Sequence, residues 1–319
     1  MSTPPPIQNP YGRPPHEQPA SPQHGFYQHG GYPQGPYQPV PQWTPPERVK
    51  QPDSRPGRFL WWDLLPTVPY VVLFFGLPLF FTLVFGRQES TGGEAEAGMA
   101  DPMLVFLENA IIFGGIFALC LLVSGKALLR STITFTHRAI AWLKLLLIPA
   151  IWFGVILANL FMTLVIWRLT GQEPDTSANQ AGIEEMTGVV PFWAALAIFG
   201  LIGPYVEEYF FRHLLVGKLS RHLNIWICGV ISVAIFAFMH VAVELFSGDW
   251  MLLLLTVVPY LTMSVAFTVA YILTGRSLAF VWLLHAFNNC VALLVTYYVL
   301  PWAEELEGQL EAVLRVLPL

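Results

Sequence analysis

Six polar residues stand in stretches of this chain that are otherwise apolar. Glu207, Glu208 and Arg212 share one hydrophobic run, His240 lies in a second, and His285 and Asn289 lie in a third. A charge at the centre of a bilayer costs at least ~2.5–3.5 kcal/mol, so such residues mark function by default. On a helix Glu208 and Arg212 are four positions apart with the acid nearer the N-terminus, the favourable order for a pair. Glu207 then points about 100° away and must find its partner across the bundle. One unpaired carboxylate, two histidines and an amide make up the set that water-mediated hydrolysis requires. Glu207 and a histidine can orient and deprotonate water. The other histidine and Asn289 can donate to a developing oxyanion. The same Glu207, His240 and His285 could instead ligate Zn²⁺ and acidify a bound water, although the H-E-x-x-H spacing of common zinc proteases is missing.

Each cluster also has a plainer reading. Glu207 to Arg212 could be a solvated helix end, since Lys218 and Arg221 follow. His240 could be a packing histidine; Glu244 one turn on could hold its imidazole in one tautomer or, the favoured reading, mark the external end of the helix. Asn289 could bond a neighbouring helix for ~0.6–2 kcal/mol, with Asn288 pointing elsewhere. Taken together on three spans, the clusters favour chemistry.

The elements that must position them are membrane helices. The 319 residues are 55% hydrophobic and only 12% charged, about half the charged fraction of soluble domains, which excludes an ordinary cytosolic globule. The net charge of −5 offers no basic field to nucleic acid. Cys120, Cys228 and Cys290 all fall in apolar runs and read as core residues. A span needs about 20 apolar residues, and seven stretches approach that: 59–85, 103–124, 140–167, 190–216, 225–246, 251–274 and 278–301. The expected fold is therefore all-α, a polytopic transmembrane bundle of about seven spans occupying residues 58–301. Prolines inside the runs, among them Pro69, Pro204 and Pro259, should kink them. Counted from the nearest cytoplasmic turn, Glu207 lies about 16 Å deep, His240 about 25 Å and His285 about 14 Å, a scatter that helix tilt must absorb.

Residues 1–57 are rich in Pro, Gln and Tyr and read as a disordered cytoplasmic tail. Lys and Arg alternate with acidic residues from one connection to the next: Arg55 and Arg58, then Glu94 and Glu96; Lys126 and Arg130, then Glu184 and Glu185; Lys218 and Arg221, then Asp249. That alternation predicts a multi-pass cell-membrane protein with its N-terminus cytoplasmic and its C-terminus external. Residues 302–319 read as an amphipathic C-terminal helix.

The three clusters resemble the motifs of the CPBP family, which takes in CAAX-processing endoproteases and bacterial Abi-type membrane proteins. E-E-x-x-x-R appears as Glu207, Glu208 and Arg212, F-x-x-x-H as Phe236 and His240, and H-x-x-x-N as His285 and Asn289, in the family's order and on separate spans. The resemblance covers about residues 140–300. It implies an intramembrane peptidase in which Glu207 and His240 activate water. His285 and Asn289 are then assigned to the oxyanion or a metal, with Glu208 and Arg212 in support. Metal-dependent and metal-free mechanisms are both associated with the family. Glutamate-activated water is favoured here, because only three strong ligands are visible and one is needed as base. The expected substrate is a peptide or membrane-associated protein, and the tail's composition is bacterial in style. A non-enzymatic immunity or scaffold protein on the same fold is the alternative. A proton-relay transporter would also place Glu and His in spans, but no inverted repeat is evident.

Overall fold

A computed structural model describes residues 56–77, 101–136, 139–172, 176–303 and Leu306. It is helical, with no strand among the described residues. The tail expected over residues 1–57 lies outside them except for Pro56 and Gly57, as do residues 78–85 of the first expected span and nearly all of the helix expected over 302–319.

The helices in order are α1 (Leu64–Val71), α2 (Pro102–Thr136), α3 (Leu147–Thr170), α4 (Ala178–Thr187), α5 (Phe192–Arg221), α6 (Ile225–His240), α7 (Ala242–Ser247), α8 (Trp250–Leu273) and α9 (Leu278–Leu294). Their boundaries follow from local chemistry. Side chains of Ser177, Asn224, Asp249 and Ser277 accept backbone N–H groups at the starts of α4, α6, α8 and α9, satisfying donors that a helix start leaves free. Gly171 and Gly248 end α3 and α7 in the left-handed region, at φ 71° and 74°, where a Cβ would be strained.

Among the described residues, five helices are long and apolar enough to cross a membrane, which makes this a multi-pass membrane protein. The expected stretch 225–246 is divided: α6 is a shorter apolar helix that stops at His240, the chain turns at Val241, and α7 starts anew. α5 is the most enclosed span, with 61% of its most apolar window buried against 11% for α3. The peripheral helices turn Leu122 and Leu169 outward, as a lipid-facing surface allows.

α5 is not a regular α-helix. Leu196–Ile202 and Tyr209–Lys218 run in wide π turns on either side of Gly203–Glu208. Pro204 lies at the first junction, where its missing N–H and bulky ring disfavour a tight turn. Gly203 N–H goes back five residues to Ile198 O. The residue that would serve Phe199 O in the same pattern is Pro204, which has no N–H to give. Asn289 from α9 serves it instead, donating Nδ2 to Phe199 O at 2.9 Å.

Candidate active site

Glu207 and Glu208 follow Pro204 by one turn, at the middle of the buried helix. The two carboxylates diverge as the spacing predicts. Glu208 is fully buried, and its Oε1 accepts Arg212 Nη1 at 2.9 Å and His285 Nδ1 at 2.8 Å. Arg212 is also fully buried; its Nη2 donates to Ser264 O and Oγ on α8, and its guanidinium carbon lies 4.8 Å from the Phe236 ring centroid. A cation so enclosed needs such partners, since desolvation otherwise costs several kcal/mol.

The Glu208 contact also orients His285. A carboxylate paired with Arg212 accepts, so Nδ1 donates, and Nε2 of the neutral ring is left as an acceptor. That Nε2 lies 3.8 Å from Glu207 Oε2, too far for a direct hydrogen bond yet close enough for one water to touch both. Glu207 Oε2 is buried and has no partner among the described residues.

His240 is fixed in the same manner by its own helix. Phe236 O can only accept, so His240 Nδ1 donates to it at 2.8 Å and Nε2 is left bare. The ring is stacked between Phe236, centroids 4.3 Å apart, and Tyr260 of α8, centroids 4.6 Å apart. Phe236 therefore supplies both the carbonyl and a ring face, which is a physical reason for the F-x-x-x-H spacing. It also meets the His285 ring edge-on at 6.2 Å.

Glu207, His240, His285 and Asn289 all line one cavity of about 670 Å³. The expected scatter in depth does not separate them. The structure brings Glu207 directly to His285, whereas His240 reaches the cavity from its wall with Phe236 and Tyr260 as its neighbours. Two expectations need correction. Asn288 does not point elsewhere: it also lines the cavity and donates Nδ2 to Asn289 Oδ1 at 3.1 Å. Glu244 does not mark a solvated helix end: it is buried on α7 and its Oε1 accepts Ala178 N, at the start of α4, at 2.6 Å. Sequence reasoning missed Tyr260 and α4, whose residues form much of one cavity wall. The signal available was a tyrosine directly after Pro259 in an apolar run.

Glu207, His240 and His285 are the residues expected to ligate zinc if the metal is bound. Among the described residues no three His, Cys, Asp or Glu side chains are grouped to hold a metal ion. As placed, these three side chains are not drawn together around one point.

Residues 189–291 match the family model described as type II CAAX prenyl endopeptidase Rce1-like. Over this stretch the chain is similar to the CAAX-protease family. The match takes in α5 to α8 and most of α9, so it holds every motif residue. No curated protein and no solved structure matches the chain. Similarity to a protease family supports peptidase activity and a peptide or protein substrate.

Proposed function

We propose that the protein is an intramembrane endopeptidase that hydrolyses a peptide bond of a membrane-associated protein or peptide, using water activated by Glu207 without a metal. The observation that carries this reading is the buried, unpartnered Glu207 Oε2 facing His285 Nε2 across 3.8 Å at the cavity. Glu207 and Glu208 together carry two negative charges when ionised, against one positive charge on Arg212. A proton taken from water brings this buried group to neutrality, which favours the transfer in a medium of low dielectric.

Water resting against Glu207 Oε2 gives up a proton to it as its oxygen bonds to the scissile carbonyl carbon. The bare Nε2 of His285 accepts the water's other O–H and so orients it, while His240 presents its own bare Nε2 from the cavity wall. The carbonyl oxygen becomes an oxyanion, which the second N–H of Asn289 can reach, the first being held by Phe199 O. When the C–N bond breaks, the proton on Glu207 passes to the leaving amine. Glu208 and Arg212 do not exchange protons in this scheme; they hold the His285 ring.

The test uses reconstituted protein and a library of quenched-fluorescence peptides. Glu207→Gln should lower cleavage by about 10²–10⁴-fold with helical content unchanged, and a zinc chelator should leave the parent's rate unaltered. Equal cleavage by parent and variant overturns the peptidase reading, and loss of activity on chelation overturns the metal-free one. Retention of a cellular phenotype by both Glu207→Gln and His240→Ala would point to the non-enzymatic alternative.

A further inference from the structure

We propose that Tyr260 is a positioning residue with two separable parts: its ring holds the His240 imidazole in place, and its hydroxyl fastens α4 over the cavity. The inference rests on the peptidase reading above for its catalytic consequence. The Tyr260 ring lies against His240 at 4.6 Å and an interplanar angle of 28°. With Phe236 on the other face at 29°, the imidazole is sandwiched and can neither tip nor swing its Nε2 away. One hydrogen bond to Phe236 O fixes the tautomer but would still let the ring pivot about that contact; the second ring face removes the freedom.

The same side chain ends in a hydroxyl that meets the start of α4. Tyr260 OH and Ser177 Oγ are 2.7 Å apart, and Asn179 Nδ2 donates to the hydroxyl at 3.4 Å. Ser177 also caps α4 by accepting Gln180 N at 3.2 Å. Glu244 Oε1 accepts Ala178 N beside it. The first turn of α4 is thus tied to α8 and α7 through the side chains of Tyr260 and Glu244, and α4 itself is too short to appear among the spans. A substrate segment entering the cavity must lie along α4, because Gln180, Ile183 and Met186 form its wall. The hydroxyl therefore bears on how the substrate seats, and the ring on where Nε2 points.

The two parts can be removed separately. Tyr260→Leu removes the ring and the hydroxyl. Tyr260→Phe keeps the ring and removes the hydroxyl, and Ser177→Ala cuts the tether from its other end. Tyr260→Leu should lower kcat about 10- to 100-fold, because a misplaced catalytic group costs up to that much. Tyr260→Phe should bring kcat back to within about threefold of the parent while KM rises about fivefold, a split that a general loss of stability would not give. A kcat equally low in Tyr260→Phe and Tyr260→Leu overturns the role of the ring.

Two readouts need no turnover. Diethyl pyrocarbonate should acylate His240 faster in Tyr260→Leu than in the parent or Tyr260→Phe, read by peptide mass spectrometry. Amide exchange over 176–187 should quicken in all three variants. Unchanged acylation and unchanged exchange overturn the proposal even if no peptide is cleaved, whereas failure of the peptidase reading appears as a parent no faster than Glu207→Gln.

Discussion

The helix α5 carries two buried clusters of charge, and they are built differently. Near its C-terminal end Lys218 Nζ lies 2.6 and 2.7 Å from the two carboxylate oxygens of Asp63, with the aspartate fully buried. Tyr209 OH donates to the same carboxylate at 3.1 Å and Leu60 N at 2.8 Å. Every lone pair of Asp63 has work within the fold, and the pair locks the N-terminal segment to α5. In the middle of the helix Glu208 Oε1 is held by Arg212 and His285, but Glu208 Oε2 and Glu207 Oε2 are buried oxygens without a hydrogen-bond partner among the described residues, and of the two residues Glu207 lines the cavity. Native structures leave few such groups, and those that persist call for a reason. Both clusters bear the cost of burial; only the open one adjoins a cavity. An unsatisfied carboxylate that borders a cavity, rather than charge itself, separates this site from the Asp63–Lys218 pair.

Matched amide substitutions sharpen this contrast most. Glu207→Gln should reduce peptide cleavage by about 10²–10⁴-fold while the unfolding midpoint in detergent stays level or rises, since an unsatisfied buried carboxylate is removed. Asp63→Asn should do the reverse. It strands the Lys218 ammonium without its counter-charge, a loss of about 3–5 kcal/mol, read as a lower midpoint, with cleavage by the surviving folded fraction near that of the parent. If Asp63→Asn were as stable as the parent and as inactive as Glu207→Gln, the two clusters would not differ in kind. The double substitution Asp63→Leu with Lys218→Met gives a milder check: removing both charges together should be neutral or stabilising by about 1–4 kcal/mol.

The open cluster was legible in the sequence because it rests on helical spacing. Glu208 and Arg212 at i and i+4, and Phe236 and His240 at i and i+4, meet in space whatever the neighbouring helices do. The closed cluster was not legible. Asp63 follows Trp61 and Trp62 at the edge of an apolar run, where a carboxylate reads as interfacial, and Lys218 read as a basic flank, because a contact across 155 residues leaves no local trace. The fold class followed from composition, but the break at Val241 did not, since neither glycine nor proline marks it. Asn288 was misread for a geometric reason. An ideal helix turns adjacent residues by about 100°, but a cavity of about 670 Å³ is broad enough to border both Asn288 and Asn289. The arrangement of α4 over the site was likewise invisible, because its polar sequence reads as an external connection.

Asn289 stands between the two clusters in kind, and its smaller effect can be divided. One of its N–H groups satisfies Phe199 O, the carbonyl that Pro204 deprives of a backbone partner. Asn289→Ala should therefore cost about 1–3 kcal/mol for a buried acceptor left unpaired, in addition to any loss of oxyanion stabilisation. Pro204→Ala gives residue 204 an N–H that can reach Phe199 O in the existing wide turn. In that background the stability cost of Asn289→Ala should fall to a few tenths of a kcal/mol, because the two donors are redundant for the same acceptor. Cleavage lost on Asn289→Ala in the Pro204→Ala background then belongs to the chemistry of the second N–H. If the stability cost is instead the same in both backgrounds, the amide is not standing in for the proline's missing hydrogen, and Asn289 belongs wholly with the open cluster.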